Sequence, residues 1–207
     1  MIVLPIKGHA NDQQRRRTQQ LEERLHSDTA SEDEILELAL LAIEPGHDGV
    51  RAAGLLRRMS ASHPLRNVWL AFVDIYEIMD LAALAEAVEA CSEALVGNAD
   101  VTIQAAAMML RAAAQRQLTH SAQARADCEE SVRLAPHWIG NRLLLFQILT
   151  ELGEYAAARR QIIDALHNVR PIPHPAKYVD YLFERLITAR SASDMEKRLR
   201  TKLDTGE

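Results

Sequence analysis

The residue classes of 139–172 return in 105–138 at an offset of 34 positions, and this recurrence restricts the chain more than any other feature. Ala112, Ala124, Cys128 and Pro136 fall in the slots of Phe146, Ala158, Ile162 and Arg170, and in 33–66 the same slots hold Leu40, Ala52, Leu56 and Pro64. A fixed period of this length marks one supersecondary unit copied along the chain, each copy burying its apolar side against the next. An antiparallel bundle is the alternative, but it gives no reason for Ala124 and Ala158, or Cys128 and Ile162, to recur at that spacing. Hydrophobic residues make up 48% of the chain and aromatics only 4%. Alanine and leucine dominate, and no alternation of β-branched residues appears, so both halves of each copy are expected to be helical and the fold all-α.

Residues 67–104 hold an irregular copy without the turn glycine. Its first helix is expected near 66–79 and its second near 81–96, with Asp80 as N-cap. A weaker fifth copy spans 176–204: Val179, Leu182, Phe183 and Leu186 form one apolar stripe and Met195, Leu199 and Leu203 a second, with Ser193 as a cap and Glu196, Lys197, Arg198, Arg200 and Lys202 facing outward. Such a polar outer face suits the end of an open stack. The segment "NDQQRRRTQQLEERLHSD" offers only Leu21 and Leu25 as a narrow apolar stripe. Residues 1–30 therefore read as a helix weakly attached to the first copy or completed by another chain, and 31–207 as a single domain.

Few features suggest chemistry. A net charge of −5 argues against nucleic-acid binding, which depends on clustered Lys and Arg. The opening "MIVLPIKGHAND" is too short an apolar run for a signal peptide or membrane span, so no membrane insertion and a cytoplasmic location are expected. Cys91 and Cys128 form no CxxC pair and fall at mid-helix apolar positions, where a thiolate finds no support, so they read as reduced core residues. The eight histidines show neither HxxxH nor HExxH spacing, "EPGHDG" lacks the lysine of a phosphate loop, and Ser60, Ser62 and His63 are merely adjacent. No enzyme activity, cofactor or metal is expected.

Gly153 and Tyr155 at the turn, followed by Ala158 and Ala165 in the second helix and proline between copies, make the chain resemble the tetratricopeptide repeat (TPR) family. The match is good for 139–172 and fair for 105–138 and 33–66. The Trp-Leu-Gly start of the family pattern is absent, and Leu40 and Phe146 stand where a small residue is usual, which would spread the two helices of a copy. The resemblance implies a helical-hairpin solenoid, a right-handed superhelix of four to five pairs (33–66, 67–104, 105–138, 139–172 and the closing pair). It further implies a concave groove, lined by first helices, that takes a peptide or helix of a partner protein.

On that reading the groove residues are Glu37, Leu41 and Glu44 from the first copy, Trp69, Val73 and Tyr76 from the second, Met109 and Arg116 from the third, and Leu143 and Gln147 from the fourth. Trp69 and Tyr76, two turns apart, either bury against a neighbouring copy or anchor a partner. The acidic run at Asp28, Glu32, Asp33, Glu34 and Glu37 is either a helix start favoured by the helix dipole or a contact for a basic partner segment. The expected function is a non-enzymatic adaptor, with a secretion-type chaperone or the recruiting subunit of an enzyme on another chain as alternatives. Homo-oligomerisation is compatible with each.

Overall fold

A computed structural model describes residues 12–43, 48–96 and 100–167. The closing pair at 176–204, its Ser193 cap and the groove position Glu44 lie outside them. The described residues form α1 (Asp12–His26), α2 (Glu32–Ile43), α3 (Gly49–Arg57), α4 (Arg66–Val73) continued by a π turn (Asp74–Ile78), α5 (Leu81–Val96), α6 (Val101–Gln117), α7 (Ser121–Leu134), α8 (Ile139–Glu151) and α9 (Tyr155–His167). No strand occurs among them. The chain clusters into two compact units, Met1–Ala90 and Cys91–Glu207, divided within α5.

The helix starts follow from local chemistry. Asp48, Asp80 and Asp100 each accept the N–H three residues on, from Arg51, Ala83 and Ile103 at 2.9, 2.7 and 2.8 Å, satisfying a donor that the first helical turn leaves free. The expected Asp80 cap is therefore present. Ser31 and Glu34 form a reciprocal capping box on α2: the Ser31 N–H donates to Glu34 Oε2 at 2.9 Å and the Glu34 N–H to Ser31 Oγ at 3.3 Å. Because Asp100 fixes the start of α6, that helix begins four residues ahead of the boundary that the period alone suggests.

The turns within copies end in the left-handed region at Met79 (φ 58°), Thr119 (φ 64°) and Gly153 (φ 76°). After α6 the His120 N–H donates to Gln115 O at 2.8 Å and the Thr119 N–H to Arg116 O at 3.1 Å; after α8 the Glu154 N–H donates to Leu149 O at 2.8 Å and the Gly153 N–H to Thr150 O at 3.1 Å. Thr119 and Gly153 thus occupy one structural position, 34 residues apart, in the same Schellman arrangement. A β-branched residue is strained there by about 1–2 kcal/mol, whereas glycine is not, although glycine has more conformational entropy to lose on folding. Thr119→Gly is therefore expected to raise stability by about 0.5–1 kcal/mol in chemical denaturation. A lowered midpoint would show that the threonine side chain contributes more than its backbone costs.

In the N-terminal unit, α2 pairs with α3, which packs on α4 and the π turn. Ile35, Leu36, Leu38, Ala39, Leu40, Ala42 and Ile43 of α2 and Ala52, Ala53, Leu55 and Leu56 of α3 are buried. Gly49, at the start of α3, lies so close to the π turn that a Cβ there would stand 2.6 Å from Glu77 Cβ. In the C-terminal unit α6 pairs with α7 and α8 with α9, and α7 packs on α8. Ala124 and Ala158, the small positions of the period, are both buried, as are Cys91 and Cys128. Both cysteines are free.

A buried polar strap joins α7 to α8. The Asn141 amide donates to Ser131 O at 3.1 Å and Ala135 O at 2.9 Å, Cys128 Sγ donates to Asn141 O at 3.2 Å, and Ser131 Oγ donates to Ala105 O at 2.8 Å. Beside it, Arg142 Nε donates to Pro136 O at 2.8 Å. The Ser131 and Ala135 carbonyls, which also accept from the Ala135 and Trp138 N–H groups at 2.9 and 3.1 Å, thereby give the buried Asn141 amide its partners.

Candidate protein-binding faces

The structure divides the expected groove residues by burial. Trp69, Val73 and Met109 are buried, so they hold the fold together and offer no side-chain surface in the free chain. Trp69 is 1% exposed and meets Phe72 of its own helix edge-on, with ring centroids 5.5 Å apart. Every residue from Asn67 to Ile75 is buried, so this helix, apolar on nearly every side, is a core helix. Tyr76 differs from Trp69. It is half-buried and tilts against Phe72 at 5.0 Å.

The π turn accounts for this. The Met79 N–H donates to Asp74 O at 2.9 Å, a bond spanning five residues instead of four. The wider turn rotates the residues at its C-terminal end away from their α-helical direction. Met79, which an unbroken α-helical period would align with the buried Val68, Phe72 and Ile75, is instead 62% exposed.

The N-terminal unit retains Glu37, Leu41 and Tyr76 as half-buried candidates. Glu37 is held by α1: Arg17 donates through Nε to Oε1 at 3.0 Å and through its terminal nitrogen to Oε2 at 2.6 Å. Arg24 pairs with Glu34 at 2.7 Å. The Glu34 carboxyl is held below the usual range, first by the Ser31 N–H and also by Arg24. The acidic run is thus in part a helix start and in part the seat of α1.

The C-terminal unit retains Arg116, Leu143 and Gln147, all half-buried. Leu143, Gln147 and Glu151 succeed one another at four-residue intervals and so share one face of α8. Arg116 of α6 reaches Glu151 through two nitrogens of its guanidinium fork, at 2.6 and 3.0 Å, and closes the end of the stripe. Two first helices are thereby joined along a face with an apolar position, an amide and an ion pair.

Burial pushes the Cys128 thiol well above its ordinary range, and the neighbouring Glu129 and Asp127 charges act in the same direction, so it stays protonated at neutral pH and is no nucleophile. Among the described residues no group of three or more His, Cys, Asp and Glu could hold a metal ion, and no helix is long and apolar enough to cross a membrane.

Consecutive helical hairpins, left-handed turn residues at the period and buried alanines at the helix contacts define an all-α, TPR-like helical-hairpin repeat fold. Among solved structures, the chain is similar to the crystal structure of MamA, a TPR-like helical protein, with a TM-score of 0.62 and 16% sequence identity, over 79% of this chain and 96% of that one. No protein-family model matches the sequence, and no curated protein matches it.

Proposed function

We propose that the chain is a non-enzymatic adaptor that binds a peptide or helix of another protein on the faces of its first helices. The stripe of Leu143, Gln147 and Glu151 on α8, bordered by Arg116 of α6, carries this reading. A half-buried leucine gives apolar contact, Gln147 places a polar side chain beside it, and the ion pair forms a charged rim. This division into an apolar centre and a polar edge is the anatomy of non-obligate interfaces. A helical repeat also repeats its first-helix face, and that suits an extended ligand better than a small molecule.

The test is Leu143→Glu in the full chain. Stability in chemical denaturation is expected to change by no more than about 1 kcal/mol, as at partly exposed positions. Capture of partner protein on the immobilised chain is expected to fall by about tenfold or more, as when an apolar contact is replaced by a charge. Undiminished capture by the folded variant would remove this face from the binding surface. The identity of what is captured distinguishes an adaptor's folded partner from the unfolded substrate of a chaperone or the catalyst served by a recruiting subunit.

A further inference from the structure

The helix α1 is held to the N-terminal unit in an unusual way. Leu21, 1% exposed, is its only fully buried side chain. Leu25 beside it is half-buried, and three ion pairs add to the attachment: Arg17 on Glu37, Arg24 on Glu34 and Glu22 on Arg51. The side chains of Glu37 and Glu34 are only 17% and 15% exposed, while those of the arginines paired with them are 42% and 52% exposed. The acidic side of this contact is built into α2, with Glu34 fixed by the capping box, and the basic side stands half in solvent.

Ion pairs with a half-exposed partner are individually weak and are screened by salt. A helix attached by such pairs, one buried leucine and one half-buried leucine is therefore easier to detach than α2 or α3, whose apolar faces are buried along their length. Arg17, Leu21 and Arg24 stand at i, i+4 and i+7, on one face of α1. This face shows what α2 accepts: a guanidinium, an aliphatic side chain and a second guanidinium at helical spacing.

We infer that α1 is a charge-latched cover over the acidic face of α2, displaced when a partner helix carrying arginine, leucine and arginine at that same spacing takes its place. The inference rests on the protein-binding reading above and names the partner chemistry for the N-terminal unit. The partner must outcompete a tethered helix, so binding is suppressed by the effective concentration of α1 and rises when the latch is weakened.

The test uses the full chain and a fluorescent peptide with the sequence of residues 12–26. Native protein is compared with Arg17→Glu/Arg24→Glu, in which α1 meets Glu37 and Glu34 with like charge. Amide hydrogens of α1 are expected to exchange about tenfold faster or more in the variant, and the variant to bind the peptide at least about tenfold more tightly than native protein, less so as salt is added. Adding Glu37→Lys to the variant should abolish peptide binding. The reciprocal pair Arg17→Glu/Glu37→Arg should restore protection of α1, which a merely structural lesion in the helix would not do.

Should the double charge reversal unfold the protein, Arg17→Gln/Arg24→Gln supports the same comparison. Native-like protection of α1 in a folded variant, or an exposed α1 with no peptide bound, overturns the inference. A native chain that exchanges α1 between two copies also overturns it, by assigning the face to self-association. If the native chain captures its partner while α1 stays protected, the cover is wrong and the adaptor reading stands.

Discussion

Trp69→Ala is expected to lower the stability of the protein by about 3–5 kcal/mol, the usual cost of emptying a large aromatic site in a packed core. The residue lies in the longest buried stretch of the described chain and leans on Phe72, so the loss combines apolar transfer, an unfilled cavity and an edge-to-face contact. Partner capture by the fraction that remains folded should be unchanged, because the indole offers no surface. Tyr76→Ala, at a half-buried ring, should cost distinctly less. Chemical denaturation of the two single variants measures both. A loss below about 1 kcal/mol at Trp69 would contradict its place in the core.

Stability is expected to decrease as pH rises from about 4 to about 6, through the buried carboxyl of Asp74. Burial pushes this group up from 3.8 to about 6; Arg57 opposes the shift and the Glu86 and Asp80 charges add to it. The folded state then holds a proton that the unfolded state has already released. Stability from this group is fully present below about 3.8 and is lost as pH passes through about 6. A shift of that size corresponds to roughly 3 kcal/mol.

Carboxylates paired with arginine act in the opposite sense at lower pH, so the informative quantity is the difference between native protein and Asp74→Asn. The variant should lack the slope between about pH 4 and 6 and be more stable than native at pH 7. Identical pH profiles would show that Asp74 is ionised in the folded state at pH 5. The Asp74 Oδ1 has no hydrogen-bond partner, which is why its charge is so poorly tolerated.

The helix pairs were legible in the sequence because they rest on apolar period and caps. Asp80 was identifiable from its place before an apolar run, and Ala124 and Ala158 from their return at 34 positions. The π turn was not. Reading Trp69 to Met79 with an α-helical period puts Trp69 and Tyr76 on one face, and a single widened turn at Asp74 undoes that placement without any residue type that announces it. Thr119 was hidden for a different reason: the left-handed turn there is held by backbone bonds, so the glycine that marks the same position at Gly153 is dispensable. Among the groove positions, spacing identified a face but not its depth. Met109 and Leu143 occupy equivalent slots, yet one is buried and the other half-exposed. The Asn141 strap pairs a side chain with main-chain carbonyls, and such carbonyls leave no trace in residue identity.

Apolar surfaces between stacked copies can slide, and a terminal copy held only by them can fray while the rest stays folded. The strap between α7 and α8 removes that freedom, because hydrogen bonds have direction and length. Lifting α8 away would take the Asn141 amide from both of its carbonyl acceptors and the Cys128 thiol from its own in one event. The third and fourth copies are therefore welded at this seam, and their opening is all-or-none where a purely greasy joint would peel.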